Sequence, residues 1–132
     1  DSKEFAVNMA NYRYWHATIQ TFFDEVLYAS PEFEKSSVRW SAAMVGDVHR
    51  ILSRGGTFLY PEDKRQGNEN GKIRLLYEAN PLSMLIENAG GQASSRGQRI
   101  LTIEPTSLHQ RVPVVMGSPA SVSVFNNAVF EQ

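Results

Sequence analysis

The stretch Gly71–Gly91, GKIRLLYEANPLSMLIENAGG, constrains the chain more than any other. It opens on a glycine turn, passes through a short apolar run, and sets one carboxylate, Glu78, ahead of a helical pattern. Asn80 is suited to cap that helix, and Pro81 to take its first position, where a missing N–H is not needed. Leu82, Leu85, Ile86 and Ala89 then recur as one buried face. Gly90-Gly91 supplies the stop, because glycine enters the left-handed region without a Cβ clash. Lys72 and Glu78 thus stand on opposite sides of one short stretch between rigid flanks. A cation for an anionic group and a carboxylate for a metal suit that arrangement. The plainer account makes Lys72 a solvated turn residue and Glu78 a favourable charge near a helix N-terminus.

The remaining chain alternates short strands with helices. Phe5-Ala6-Val7 reads as a strand, and Asn8–Tyr14 (NMANYRY) as a polar-aromatic turn of the kind that lines a site. A helix follows from Trp15, with Ile19, Phe22, Phe23, Val26 and Leu27 as its apolar stripe. Ser30-Pro31 ends it, since the residue before proline avoids the helical region. Pro31–Val38 (PEFEKSSV) reads as a mobile charged loop. Ser41–Arg54 reads as a second helix with Met44, Val45, Val48, Ile51 and Leu52 inward, stopped by Gly55-Gly56. Thr57–Tyr60 is a strand halted by Pro61, and Glu62–Gly71 (EDKRQGNENG) a surface loop. Gln92–Ser94 and Ile100–Ile103 read as strands about a Ser95–Gln98 turn, and Pro113–Met116 as a buried strand. Ser118-Pro119 starts a last helix with Val122, Phe125 and Val129 inward. No internal repeat or low-complexity tract interrupts the pattern. Such alternation predicts an α/β fold, a mixed central sheet flanked by helices on both faces.

With 132 residues the chain suits one domain, 1–132, rather than two. A net charge of −1 gives no basic excess to drive binding to nucleic acid or an anionic membrane. No apolar run approaches the roughly 20 residues of a membrane span. Cysteine is absent, which excludes disulfide scaffolds and thiolate metal sites and suits a cytoplasmic setting. The chain opens at Asp1 rather than methionine and enters strand-like sequence almost at once, so it reads as a piece of a longer protein.

Beyond Lys72 and Glu78, three local groups can carry chemistry. Tyr60 closes a strand beside Pro61, and its hydroxyl can donate to an anionic ligand or sit half-buried in water. Asn11 and Tyr14 lie in a loop after a strand, where α/β folds build ligand sites. Arg39 precedes the second helix with a guanidinium suited to phosphate or carboxylate. Further along, Asp47 and Arg50 are spaced as a surface helix pair, and His49 reads as structural or exposed. His16, His49 and His109 lack metal-ligand spacing, so a zinc site is not expected. No nucleophile elbow, P-loop or dinucleotide fingerprint is present.

Taken together, RW…AAMVGDVHR, GGTFLYP, GKIRLLYEANP, AGG and LHQR closely resemble the C-terminal half of class I fructose-1,6-bisphosphatase, in the sugar-phosphatase superfamily. The resemblance spans nearly the whole chain and is strongest from Arg39 to Ser118. It implies the C-terminal half of that fold and a phosphatase that cleaves the 1-phosphate of fructose 1,6-bisphosphate, in gluconeogenesis or carbon fixation. It implies Mg²⁺, with Mn²⁺ as a substitute, and a homotetramer. By resemblance Glu78 is a metal ligand, and Lys72 contacts the sugar and its 6-phosphate. Asn11, Tyr14 and Tyr60 surround that phosphate, Arg39 reaches a neighbouring subunit's 6-phosphate, and Met44 lies by the sugar. Trp40 stands where many relatives carry tyrosine, giving an indole donor in place of a phenol. The Glu62–Gly71 loop is slightly longer than in relatives.

The family's other metal-binding carboxylates, and its regulatory AMP site where one exists, belong to an N-terminal half not represented here. The chain is therefore expected to hold the sugar-phosphate pocket and one metal ligand, to have no catalytic residues of its own, to pack against that N-terminal domain, and to be inactive in isolation. A sedoheptulose-1,7-bisphosphatase or dual-specificity enzyme fits the same residues. A non-catalytic sugar-phosphate-binding or oligomerisation module is the reading of a different class.

Overall fold

The computed structural model describes residues 4–28 and 31–130. Its central sheet is built from β1 (Glu4–Ala6), β2 (Ser37–Arg39), β3 (Thr57–Tyr60), β5 (Gln92–Ser95), β6 (Gln98–Arg99) and β8 (Val114–Gly117). The strand order is β2-β1-β3-β8-β5-β6, and a separate ribbon pairs β4 (Ile73–Arg74) with β7 (Arg111–Val112). β1 runs parallel to β2 and β3, while β8 runs antiparallel to both β3 and β5. The sheet is mixed, as expected.

Side chains alternate across a strand, and here the alternation sorts the core into two layers. Phe5, Leu59 and Val115 face the layer that holds Trp15, Phe22 and Phe23 of the first helical segment and Val122, Phe125 and Val129 of the last. Their neighbours Ala6, Phe58, Val114 and Met116 face the opposite layer, with Val48, Ile51, Ala79 and Ile86. The first layer is rich in aromatic rings. Trp15 stacks on Phe23 at 4.8 Å between centroids, and Phe22 meets Phe125 edge-on at 5.0 Å. Such pairs add about 0.5–1.5 kcal/mol each beyond area burial.

Among the described residues four helices cover the faces. α1 (Ala17–Thr21) runs on through a wider turn at Phe22–Leu27, so the stripe read from Ile19 to Leu27 is a single apolar ridge. Ser30 lies outside the described residues. α2 spans Met44–Arg54, α3 spans Asn80–Asn88 and α4 spans Pro119–Phe130.

Several expectations are corrected. Asn80 does not cap α3: the helical path begins at Leu75, and the first turn, Leu75–Ala79, is wide, with the Asn80 N–H bonded to the Leu75 carbonyl. Pro81 explains the widening, since it lacks an N–H and its ring crowds the carbonyl four residues back. Starting earlier rotates the face, so Ile86 is buried but Leu85 is 52% exposed and Ala89 also faces out. Val45 is likewise 71% exposed, because Asp47 takes the buried place at that end of α2. Asp47 and Arg50 are not a surface pair: Asp47 is fully buried and Arg50 bonds both Asp47 (2.9 Å) and Glu4 (2.7 Å). Pro31–Val38 is not merely a loop. It holds a short turn at Pro31–Phe33 with Phe33 in the core, and leads into the edge strand β2. Ile100–Thr102 is a 3₁₀ turn rather than a strand, and β6 pairs with β5 just before it.

The tightest point of the fold lies where β3, β8 and β5 meet. Gly117 has φ +141, and a Cβ there would collide with the Gly56 carbonyl oxygen. A Cβ on Gly91 would sit 2.6 Å from the Gly117 carbonyl oxygen. Gly90, by contrast, has φ +88 with open space around it. Gly117→Ala is therefore expected to cost at least about 3 kcal/mol, strain and overpacking together, and Gly90→Ala only about 1–2 kcal/mol. Urea midpoints of the two variants test this, and equal losses would refute the close passage at Gly117.

Candidate functional site

Asn8 shapes the first wall. Its side chain accepts the Ala10 N–H at 3.1 Å and caps the 3₁₀ turn Met9–Tyr14, which leaves Asn11 and Tyr14 half-buried. β3 delivers Tyr60 to the same place as its last residue. Trp40 stacks on Phe58 at 6.0 Å and lies 6.1 Å from the Tyr60 ring, and Met44 packs with them against the second core layer. Burial raises the Tyr60 phenol above its ordinary value, which the charge of Arg65 and hydrogen bonding from Asn11 oppose in part and Asp63 reinforces. Tyr60 therefore keeps its proton, and remains a donor, at any pH near neutral.

The loop after Tyr60 supplies what the sequence did not announce. Asp63 is 1% exposed, and the Arg65 guanidinium bonds it through Nη2 at 2.7 Å and Nε at 3.2 Å. Arg65 also lies over the Tyr14 ring, 4.3 Å from its centroid, and the Lys64 N–H bonds the Tyr14 carbonyl at 2.9 Å. Glu62–Gly71 is a surface loop, as read, but a pinned one. A buried acid within a polar run carries no periodic signal; the nearest hint was the pairing of acids and bases just past Tyr60-Pro61.

Lys72 and Glu78 flank β4. Gly71 has φ +73 and passes close to Pro113, which turns the chain into the ribbon and leaves Lys72 exposed. Glu78 folds back so that its Oε1 accepts the Arg74 N–H at 3.0 Å, satisfying a backbone donor at the start of that helical path. The Arg74 side chain donates to the His109 carbonyl at 2.8 Å, and Tyr77 and His109 bond at 3.0 Å. One carboxylate with a free oxygen fits as a single hard ligand for Mg²⁺. Among the described residues no group of three or more His, Cys, Asp or Glu could hold a metal.

The structure thus gathers Asn11, Tyr14, Trp40, Met44 and Tyr60, with Arg65 added. Among the described residues no hydrogen bond, ion pair or ring contact ties Lys72 or Glu78 to that group. Arg39 stands apart on edge strand β2, 59% exposed, with Glu4 at 3.4 Å. His49 is exposed.

The chain is thus a mixed α/β domain whose loops bring two phenols, an amide and one guanidinium together. The family model "Fructose-1-6-bisphosphatase, C-terminal domain" matches residues 1–130, and the chain belongs to that family. It is 70% identical over 129 residues to a fructose-1,6-bisphosphatase class 1 of Pseudoalteromonas translucida, covering 98% of this chain and 40% of the relative. A second, from Cellvibrio japonicus, is 52% identical over 133 residues, covering 99% and 41%. The crystal structure of Leishmania major fructose-1,6-bisphosphatase in T-state superposes with a TM-score of 0.91 at 37% identity, over all of this chain and 40% of that one. Its holo form gives 0.88 at 38% identity, over 97% and 39%. The chain spans about two fifths of the length of the relatives it matches.

Asp63 makes part of this site sensitive to acid. Burial works against its charge, but hydrogen bonds from the Arg65 side chain and backbone, the Arg65 charge and Asn68 prevail and hold the carboxyl below its ordinary value. An unfolded aspartate titrates near about 3.9. The pair's contribution to stability is therefore complete above that value and lost as pH falls through the lower folded pKa. Asp63→Asn is expected to flatten the fall in urea midpoint below about pH 4 relative to wild type; identical slopes would show that the pair is not linked to folding.

Proposed function

We propose that the chain is the C-terminal, sugar-phosphate-binding part of a metal-dependent phosphatase that removes the 1-phosphate of fructose 1,6-bisphosphate, leaving fructose 6-phosphate. The observation that carries this reading is the family match over residues 1–130 together with Asn11, Tyr14 and Tyr60 on one wall. In this reading the wall holds the 6-phosphate, the group that does not react. The Tyr60 hydroxyl and the Asn11 amide donate to its oxygens, and Lys72, exposed on a rigid turn, adds a cation. Binding energy from the remote phosphate orients the reacting end. Arg39, exposed on edge strand β2, reaches the 6-phosphate of a neighbouring subunit, which suits a homotetramer. Trp40 and Met44 form the apolar floor beside the sugar.

Glu78 is the residue that would hold Mg²⁺ here, its other oxygen anchored on the Arg74 N–H. Such an ion, when bound, polarises the scissile phosphate and lowers the pKa of water. The remaining carboxylates come from the part of the relatives that this chain does not cover, and the chain packs against that part in the whole enzyme. Gluconeogenesis in the cytoplasm is the setting this reading implies. None of the helices among the described residues is long and apolar enough to cross a membrane.

Phosphate release from fructose 1,6-bisphosphate with excess Mg²⁺ tests the proposal. The full-length protein is expected to turn over, the 132-residue chain to be inactive, and full-length Glu78→Gln to lose on the order of a hundredfold. Full activity of the isolated chain, or of Glu78→Gln, would overturn these roles.

A further inference from the structure

We propose that Arg65 is a further phosphate-binding residue of this site, presented by the pinned Glu62–Gly71 loop. This rests on the sugar-phosphate reading above and adds a residue to it. Asp63 is almost wholly buried and takes Nε and Nη2 of the guanidinium at once. Turning the Asn68 amide lets its oxygen accept from the same two nitrogens, at 3.2 and 3.1 Å. Nη1 is left with no protein hydrogen-bond partner among the described residues.

The plane of the guanidinium covers the Tyr14 ring, and its charge acts on both Tyr14 and Tyr60. The Asn11 amide also acts on the Tyr60 hydroxyl and partly opposes the rise in its pKa. A cation with one free nitrogen thus stands among an amide and two phenols, each able to donate to an oxyanion. Charge-assisted bonds to phosphate are about twice as strong as neutral ones. Only arginine can grip Asp63 with a fork, lie flat on a ring and still offer a further N–H. With its side chain one-third exposed, Arg65 stays accessible to a ligand.

The competing account gives Arg65 a single task, neutralising buried Asp63 so that the loop stays closed. The two accounts part over Asp63. If Arg65 only pins the loop, Asp63→Asn and Arg65→Gln break the same pair and act alike. If Arg65 holds phosphate, removing the carboxylate leaves the cation in place and removes a competing negative charge.

The experiment measures fructose 6-phosphate binding to the full-length protein by calorimetry. Wild type is compared with Arg65→Gln, Asp63→Asn and the double variant, whose paired amides leave no buried charge unmatched if Arg65→Gln folds poorly. Arg65→Gln and the double variant are expected to weaken binding about tenfold, and Asp63→Asn to bind within about threefold of wild type or tighter. Equal weakening by both single variants, or wild-type binding by Arg65→Gln or the double variant, overturns the role of Arg65 while the sugar-phosphate reading stands. Failure of the wild-type protein to bind fructose 6-phosphate overturns that reading, and this inference with it.

Discussion

The fold depends on a row of bare backbone at one end of the central sheet. Gly56 lies against the Glu4 carbonyl, Gly117 against Gly56, and Gly91 against Gly117, so β1, β3, β8 and β5 close on one another with no side chain between them. The Ser118 N–H bonds the Gly56 carbonyl at 2.8 Å, and the Ser118 hydroxyl accepts the Gly56 N–H at 3.1 Å. A side chain would strike the β1 backbone at Gly56, the β3 backbone at Gly117, and the end of β8 at Gly91. The glycines are thus chosen for space as much as for dihedral freedom.

That constraint also sets where function can lie. α2 and α3 run toward the glycine row and end on it, at Gly55 and at Gly90-Gly91, and β3 leaves it. The starts of both helices and the end of β3 must then lie at the far end of the sheet. Met44, Glu78 and Tyr60 occupy those positions, at the start of α2, in the turn before α3 and at the last residue of β3. The glycines make the closed end of the domain, and by doing so they assign the candidate site to the open end.

What the sequence disclosed follows from the same physics. Glycine pairs and the short apolar runs of β3 and β8 were legible because backbone conformation and two-sided burial leave a pattern. So was the apolar face of α4. Rotation of a helix about its axis was not, because it turns on a single residue. One wide turn ahead of Pro81 brought Leu85 outward, and one buried carboxylate, Asp47, displaced Val45. Asn11, Tyr14 and Tyr60 could be named from the resemblance, whereas their grouping with Arg65 could not, since it passes through buried Asp63 in a run that reads as solvent-exposed throughout.

The buried acids explain how a chain of net charge −1 can still offer cations to an anion. Glu4, 5% exposed, draws both Arg50 and Arg39, and Asp47 draws Arg50 again. Those guanidinium groups satisfy carboxylates that could not otherwise be buried without a penalty of several kcal/mol. Arg50 is consumed by this, with two acids against it. Arg39 is held at 3.4 Å by one acid and remains 59% exposed. Arg65 is intermediate, and Lys72 is committed to no acid among the described residues. Which of these cations stay uncommitted is set by which carboxylates the fold buries.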